Sequence, residues 1–504
     1  MNDLFINNSE LMPKWVPDSE VTLDREGAPD WVKSLIIAEV NLQVATPEGT
    51  FQAAYKMLKH YQEMGVNGLY ITPVHDNGNM NPKDYFGYVH NGTDTVHPRL
   101  TGETEQKKGW EVFKGFIEEA HRRNIRVFLD VTSWGTLPDA DIFKKHPEWC
   151  TNEGLYSSPD PCCFDWENEE FREWYIYQIT ELAVRSGCDG FRFDMEPVYE
   201  KNPGVTAHFA GYAINNEIRR RLLYGPERKL LMMSECANER RGVYHLEQLS
   251  PQFEQAHGGP GQPDPPPRNF LNGFNLVDSI KEGHHIGSIL SQKAGRGGTY
   301  RYYTYCLSNH DNRIAQMKGS RIYMGYLAIF APFIPLWYIG DEWNHTWPIR
   351  EDGEAEYYSY FYNKVDWDSV NDPEKRALFE DVKQMIRIRR QNPEIFEYFP
   401  ECHRNVNICK VKTDGTEVIQ PYARYSGDTA FLVIPYNGAE KVTLQIPFAE
   451  AGIEWYSRYE VTDAMSGEAL ANGSGSDVKN LTVCVAHDNM RIIKVQGLEK
   501  LSFA

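Results

Sequence analysis

The apolar positions of the chain alternate between short runs that suit buried strands and longer stripes with helical spacing. Residues 230–233 are continuous apolar sequence, as parallel strands covered on both faces tend to be. Helical stripes fill the segments between such runs, and one of them consists of Trp110, Phe113, Phe116, Ile117 and Ala120. This alternation of strand and helix predicts an α/β fold with a parallel sheet.

Eight segments have the pattern of candidate strands. They are residues 35–41, 68–74, 126–132, 190–194, 230–235, 274–277, 303–307 and 335–339, of which 274–277 is the weakest. Eight strand–helix units over roughly 360 residues are within the range of a (β/α)8 TIM barrel with insertions. A doubly wound sheet also alternates, but its dinucleotide-binding form requires a glycine-rich turn after the first strand, and the sequence has none there.

Three segments differ from the predicted barrel in their pattern of apolar and polar residues. Residues 1–34 are polar and interrupted by prolines, which predicts an extended lead-in. Residues 133–166 lose the periodicity and predict a short insertion after the third strand. Short alternating strands with Gly and Asn turns follow the barrel. We therefore predict a catalytic barrel over 35–398 and a C-terminal all-β sandwich domain over 399–504.

Charge and cysteine content limit the partners and the compartment. The 504 residues carry 52 Lys plus Arg against 71 Asp plus Glu, and the net charge of −19 argues against nucleic acid and against an anionic membrane surface. A neutral small molecule fits better, and the oligomeric state stays open. Nine cysteines without a CxxC pair, together with an N-terminus that lacks a signal-peptide core, predict a cytoplasmic protein. Prolines interrupt the apolar run 323–340, which favours a core helix and a strand over a membrane span.

Carboxylates follow or end several of the predicted strands, where the active site of a barrel lies. They are Asp130, Asp194, Glu235, Asp311 and Asp341. Arg192 shares one strand face with Asp194, and a guanidinium beside a carboxylate favours its charged form. A buried structural ion pair is the alternative for this pair. A metal site is the alternative for the cluster, but the adjacent pair His284 and His285 lacks the usual ligand spacing and suits a loop or surface. Several acids at one mouth of an aromatic-rich chain suggest glycoside hydrolysis, which needs one neutral acid and one charged carboxylate.

Several motifs in this order resemble the α-amylase family (glycoside hydrolase family 13), a large clan of retaining α-glycosidases and transglycosidases. The resemblance covers about residues 30–500. It is carried by Gly87-Tyr88 with Pro98-Arg99-Leu100, Asp130-Val131, Gly190-Phe191-Arg192-Phe193-Asp194, Ser234-Glu235, Ser308-Asn309-His310-Asp311, Tyr338-Ile339-Gly340-Asp341-Glu342 and the helix segment 387–393.

The resemblance implies roles for residues at the mouth of the barrel. Asp194 would be the nucleophile that forms a covalent glycosyl intermediate, Glu235 the acid/base, and Asp311 the stabiliser of the distorted sugar. Four further residues would line the subsite of the attacked ring, and the configuration of the anomeric carbon would be retained. These four are Arg192, His310, Asp130 and Tyr88, of which Tyr88 would stack on the sugar.

The chain departs from the family pattern after the third strand. The family usually follows Asp130-Val131 with an Asn and then a His, where this chain has Trp134 and Gly135. That Asn commonly serves a structural calcium and that His contacts the sugar, so we expect no metal and no cofactor. Trp134 either stacks on the sugar in place of the His or packs into the insertion. Residues 195–198 lack the Lys-His pair of starch-cutting amylases, which favours a smaller or modified glycoside.

Three functions are consistent with these residues. A hydrolase of short α-glucosides or related oligosaccharides leads, with a small-molecule carbohydrate as its partner. A transglycosidase or glycoside phosphorylase would use the same three acids. A non-catalytic carbohydrate-binding or scaffold member of the clan belongs to a different class, and such members typically lose catalytic acids that this chain keeps.

Overall fold

The computed structural model describes most of the predicted barrel and of the C-terminal region. The described residues are 29–75, 88, 90–133, 135–151, 162–165, 168–194, 230–234, 246–248, 302–310, 320–330, 334–347, 363–397, 406–408, 422–436, 440–449 and 451–502.

Eight parallel strands in this part of the chain close into a barrel, which confirms the predicted fold class. They are β1 (Ile37–Val40), β2 (Gly68–Ile71), β3 (Arg126–Thr132), β7 (Gly190–Asp194), β8 (Leu231–Ser234), β9 (Leu246–Gln248), β10 (Tyr302–Cys306) and β11 (Ile334–Tyr338). The strands neighbour one another in chain order, and β11 pairs with β1 to close the barrel, with Leu336 opposite Ile37. Side chains that point inward from successive strands therefore meet in one interior.

The sixth strand differs from the prediction. Residues 274–277 lie outside the described residues, and the position between the fifth and seventh strands is held by β9. The prediction of the sixth strand was therefore wrong. β9 has three residues, Leu246, Glu247 and Gln248, of which one is apolar, so neither length nor periodicity marks it in the sequence.

Helices cover the outside of the barrel. The described helices of this part are α1 (Leu42–Ala45), α2 (Phe51–Met64), α3 (Pro98–Thr101), α4 (Gln106–Arg122), α5 (Asp141–Lys145), α6 (Glu169–Ser186), α7 (Ser320–Gly325), α8 (Pro373–Gln391) and α9 (Pro393–Phe396). Thr50 caps α2, because its Oγ1 accepts from Ala53 N at 3.3 Å. The helix ends at Gly65, whose φ of 96° suits glycine.

The apolar run 323–340 is part of the barrel. It continues α7 as a π-helical turn, Tyr326–Phe330, and then enters the buried strand β11. Helix followed by strand is the arrangement that the prolines predict. No helix within the described ranges combines the length and the hydropathy that a membrane crossing requires.

The insertion after β3 carries a small sheet of its own. Its strands β4 (Gly135–Thr136), β5 (Cys150–Thr151) and β6 (Cys162–Phe164) are antiparallel in the order β4-β6-β5. The sheet lies beside the end of β3, because β4 begins three residues after Thr132. The insertion therefore borders the mouth of the barrel.

The C-terminal region is all-β apart from one short helix, α10 (Gly475–Val478), among its described residues. Its strands are β12 (Val406–Ile408), β13 (Tyr422–Ser426), β14 (Thr429–Pro435), β15 (Lys441–Gln445), β16 (Tyr456–Asp463), β17 (Ala469–Ser474), β18 (Asn480–Cys484) and β19 (Met490–Lys500). They form a six-stranded and a two-stranded antiparallel sheet. Phe431 packs against Phe396 of the barrel, with ring centroids 5.1 Å apart, so the two regions share apolar contacts. The boundaries 1–34, 35–398 and 399–504 stay a prediction.

The described end of the lead-in, residues 29–34, docks at the strand-start end of the barrel. Trp31 belongs to a 3-10 turn, Asp30–Ser34, and stacks on Phe128 with ring centroids 5.9 Å apart. The Arg126 guanidinium lies 4.2 Å from the centre of the Trp31 ring. These contacts attach residues 30–34 to the main fold.

Candidate active site

A buried arginine joins two carboxylates at the strand-end side of the barrel. Because side chains alternate along β7, Arg192 and Asp194 point to the same side, as the sequence predicts. Arg192 Nη1 donates to Asp194 Oδ1 at 2.8 Å and to Asp130 Oδ1 and Oδ2 at 3.2 and 3.1 Å. All three residues are buried, so this charge cluster has little solvent screening.

Asp130 is held by neutral donors as well as by the guanidinium. It faces Arg192 in the register between β3 and β7. Its Oδ2 accepts the hydroxyls of Tyr70 at 2.5 Å and of Tyr88 at 2.8 Å. Burial raises the pKa of Asp130 above its ordinary value, while Arg192, His310 and the two hydroxyls oppose that shift. Burial also raises the pKa of both tyrosines, which keeps them as donors at neutral pH.

The backbone at the end of β7 is fixed by the residue that follows β3. Ser133 Oγ donates to the carbonyl oxygen of Asp194 at 2.7 Å, and Ser133 N approaches the same oxygen at 3.3 Å. These two donors to one carbonyl oxygen fix the backbone of Asp194, which carries the carboxylate. Ser133 thus contributes to the orientation of Asp194 through the main chain.

A second group of side-chain contacts joins His310, which follows β10, to strand β1. The ring of Tyr88 stacks on the ring of His310 with centroids 5.0 Å apart and an interplanar angle of 9°. His310 contacts Glu39, which lies on β1, through Nδ1 and Oε1 at 2.5 Å. Since Tyr88 also donates to Asp130, the side chains from Glu39 to Asp194 form one continuous chain of contacts.

The two acids after β11 point in different directions. Ser308 Oγ lies 2.7 and 2.6 Å from the two carboxylate oxygens of Asp341, which places Asp341 beside the end of β10. Glu342 turns toward the helix layer, where its Oε1 lies 2.8 Å from His60 Nε2 and its Oε2 accepts from Gly340 N at 2.9 Å. The adjacent residues Asp341 and Glu342 thus contact different parts of the fold, Ser308 after β10 and His60 in the helix layer.

The structure brings together five of the eight residues that the sequence assigns to the site. They are Asp194, Arg192, Asp130, Tyr88 and His310. Trp134, Glu235 and Asp311 lie outside the described residues. Each of these three directly neighbours a described residue, namely Ser133, Ser234 and His310. Their assigned roles stay predictions.

Two members of the cluster were missed from the sequence, Tyr70 and Glu39. Both are fully buried on apolar strands, where a polar tip needs a partner. The signal for Glu39 was a single carboxylate within Ile37-Ala38-Glu39-Val40. Tyr70 carries no such signal, because tyrosine is common in strands.

The described residues of the site do not form a set of metal ligands. Among the residues that the structure describes, no group of three His, Cys, Asp or Glu side chains could hold a metal ion. The oxygens of Asp130 are occupied by Arg192 and two hydroxyls. That no metal or cofactor is used remains an expectation from the sequence.

Comparison with known proteins finds enzymes to which this chain is similar. No family model matches the chain. The chain is similar to α-1,4-glucan:maltose-1-phosphate maltosyltransferase 1 of Streptomyces coelicolor, with 21% identity over 473 residues that cover 86% of this chain and 62% of the relative. The chain thus spans about three fifths of the length of the curated relatives that it matches.

Solved structures show the same fold. A maltogenic α-amylase of Thermotoga neapolitana has a TM-score of 0.66 at 19% identity and covers 92% of this chain and 99% of its own. The trehalose-6-phosphate hydrolase of Bacillus licheniformis has a TM-score of 0.65 at 16% identity, with 93% and 100% coverage. The chain therefore shares the TIM-barrel fold of these solved structures, and its ordered motifs resemble those of the α-amylase family, glycoside hydrolase family 13, apart from an atypical third-strand motif.

Proposed function

We propose that the protein is an enzyme that breaks α-glycosidic bonds of a small carbohydrate with retention of configuration. Asp194 is the nucleophile and forms a covalent glycosyl intermediate. Glu235 protonates the leaving oxygen and then activates the acceptor, and Asp311 stabilises the oxocarbenium-like transition state. Arg192, Asp130, Tyr88 and His310 surround the attacked ring.

The observation that carries this proposal is the contact of Arg192 with Asp194 and Asp130. A nucleophilic carboxylate must be ionised, and the guanidinium at 2.8 Å favours the charged form of Asp194. The same contact fixes the carboxylate in one orientation, because Arg192 is also held by Asp130. A purely structural ion pair would need neither the strand-end position nor the neighbouring Tyr88 and His310.

Hydrolysis of a short α-glucoside is the leading reaction. The departures from the family pattern at Trp134 and Gly135 and at residues 195–198 favour a smaller or modified glycoside over a long starch chain. Solved structures of similar fold include a trehalose-6-phosphate hydrolase, which supports a small substrate.

Glycosyl transfer is the second candidate, and a specific finding favours it. Curated relatives that cover 86% of the chain are named as maltosyltransferases that use maltose-1-phosphate. Transfer and hydrolysis share the covalent intermediate and differ in the acceptor, which is a sugar or phosphate rather than water. A non-catalytic carbohydrate-binding role is the weakest candidate, because the chain keeps all three acids.

A product assay tests the proposal. The purified protein would be incubated with maltose, maltotriose, trehalose, α-maltose 1-phosphate and 4-nitrophenyl α-glucoside, each with and without phosphate or a maltose acceptor. NMR would identify the anomer that forms first. We expect an α-anomer or an α-linked transfer product, and a β-anomer would overturn the proposal.

Matched variants sharpen this assay. Asp194→Asn should abolish turnover, and Glu235→Gln should slow it most for poor leaving groups. Asp189→Asn is the control, because Asp189 precedes β7 at its opposite end and contacts Arg126 and His121. Full activity of Asp194→Asn, or equal losses in Asp194→Asn and Asp189→Asn, would contradict the assignment.

A further inference from the structure

Glu39 is a fully buried carboxylate on β1 that the proposed mechanism does not use. Its accessible surface is 0% of the reference value. The carbonyl oxygen of Glu39 accepts from Ile339 N at 3.0 Å, so the main chain is anchored to the neighbouring strand. The side chain is therefore presented to the barrel interior from a rigid element.

The contacts of Glu39 concentrate on one residue. Its Oε1 accepts from the backbone N of His310 at 3.0 Å and lies 2.5 Å from Nδ1 of the same residue. Because this oxygen already accepts a backbone proton, it acts as the acceptor for the ring as well, and Nδ1 carries a proton. Glu39 thus binds both the main chain and the ring of His310.

The other carboxylate oxygen of Glu39 makes no such contact. Oε2 is buried, and no hydrogen-bond partner for it exists among the residues that the structure describes. Burying a carboxylate with one oxygen unsatisfied costs free energy, so an apolar residue at this position would serve stability better. The contacts of this carboxylate point to a role in orienting His310 rather than in packing.

The opposite face of His310 is defined too. Tyr88 lies flat on the imidazole, at 9° between the ring planes, and its hydroxyl is fixed by Asp130. The ring is thus held at Nδ1 by Glu39 and across its face by Tyr88. In such an arrangement Nε2 has one position, which a sugar hydroxyl can recognise.

We propose that Glu39 is a positioning residue of the active site, which fixes the Nδ1-protonated form and the orientation of His310 for contact with the bound sugar. The inference rests on the proposed function for the role of His310. The positioning itself is a property of the protein without substrate.

A spectroscopic comparison tests the positioning directly. The protein would be labelled with ¹⁵N at histidine, and the ring signals of His310 would be assigned through His310→Asn. We expect Nδ1 to be protonated in the wild type. In Glu39→Leu the tautomer should shift toward Nε2 protonation, and in Glu39→Gln the Nδ1 proton should move upfield, because its acceptor is no longer charged. Unchanged His310 signals in both variants would overturn the proposal, and Glu39→Gln decides if Glu39→Leu fails to fold.

Glu342→Gln is the matched control. Glu342 is equally buried and accepts from a histidine, His60, but it faces the helix layer. This variant should leave the His310 signals unchanged. Any general effect of neutralising a buried carboxylate would appear in it as well, and equal shifts in both glutamine variants would contradict the proposal.

Kinetics on the best substrate of the panel completes the test. Glu39→Leu should lower kcat/KM by about 10²-fold through misplacement of His310, Glu39→Gln should restore part of the loss, and Glu342→Gln should retain the wild-type value. Unchanged kcat/KM in Glu39→Leu would overturn the proposal. If the wild-type protein turns over no substrate, the proposed function fails, and the NMR comparison still decides whether Glu39 positions His310.

Discussion

The Nη1 atom of Arg192 lies 2.8 Å from Oδ1 of Asp194 and within 3.2 Å of both carboxylate oxygens of Asp130. One guanidinium nitrogen therefore connects two acids on neighbouring strands, β3 and β7. The cluster is buried, so the loss of one charged side chain would leave the opposite charge uncompensated and would lower the free energy of unfolding. This relationship links the stability of the barrel to the orientation of the proposed nucleophile.

Removing the guanidinium should destabilise the protein strongly. Arg192→Met leaves Asp130 and Asp194 without their cation, and we expect a loss of about 3–5 kcal/mol in the free energy of unfolding, measured by urea denaturation. Arg126→Met is the control, since Arg126 contacts Asp189 at 3.4 Å near the surface. It should cost less than about 1 kcal/mol. Similar losses of unfolding free energy in the two variants would show that the buried cluster stabilises the protein no more than the surface ion pair does.

Removing a tyrosine hydroxyl that donates to Asp130 should have a larger effect than removing a buried hydroxyl that has no hydrogen-bond partner among the described residues. Tyr70→Phe removes a donor to a carboxylate and should cost about 1.5–3 kcal/mol of unfolding free energy. Tyr88→Phe keeps the ring against His310 but loses its hydroxyl, and should lower kcat/KM. Tyr61 is equally buried, and its hydroxyl has no hydrogen-bond partner among the described residues, so Tyr61→Phe should be close to neutral. Urea unfolding would compare Tyr70→Phe with Tyr61→Phe, and kinetics on the best substrate would test Tyr88→Phe.

Acid should destabilise the fold through a buried histidine. Burial, together with the nearby His75, lowers the pKa of His90 from 6.5 to about 3. The unfolded chain takes up this proton near pH 6.5 while the folded protein does not, so stability falls as the pH is lowered from 6.5 toward 3. The contribution is about 1.4 kcal/mol per pH unit.

A histidine replacement measures this contribution. The unfolding free energy of His90→Phe should fall less steeply than that of the wild type between pH 6.5 and pH 4. His487 is the control, since its side chain is exposed, and His487→Gln should leave the slope unchanged. A wild-type slope in His90→Phe would contradict the account.

Close strand contact should make one glycine irreplaceable. A Cβ at Gly190 would lie 2.3 Å from the carbonyl oxygen of Leu231, so Gly190→Ala must push β7 away from β8. We expect a loss of stability and of activity together, because Arg192 and Asp194 follow on the same strand. Gly115 lies inside α4 with its nearest neighbour, the Tyr55 hydroxyl, 3.4 Å away, and Gly115→Ala should stabilise by up to about 1 kcal/mol. Calorimetry on both variants tests the contrast.

The sequence predicted those parts of the fold that local pattern encodes. β3 was predicted with the bounds that the structure has, because its run 126–132 is long and apolar. The shared side of Arg192 and Asp194 follows from alternation alone. The sixth strand could not be found in this way, since β9 is short and polar and is defined by its neighbours β8 and β10.

The part of the site that depends on barrel closure was not predictable from local pattern. Glu39 and His310 lie 271 positions apart in the chain and meet because β1 pairs with β11, next to β10. The contact of Arg192 with Asp130 likewise depends on the register between β3 and β7, which the local sequence pattern does not encode. The strand-end positions of Asp194 and Asp341 were predictable, because the ends of these two strands are visible in the sequence.

Trapping the covalent intermediate tests the central claim most directly. A 5-fluoro-α-glucosyl or 5-fluoro-α-maltosyl fluoride should label the protein, because the fluorine slows both steps and the good leaving group favours the first. Mass spectrometry should find one added glycosyl residue, and digestion should place it on Asp194, with no label in Asp194→Asn. Attachment to any other residue, or turnover of the fluoride by Asp194→Asn at the wild-type rate, would contradict the account.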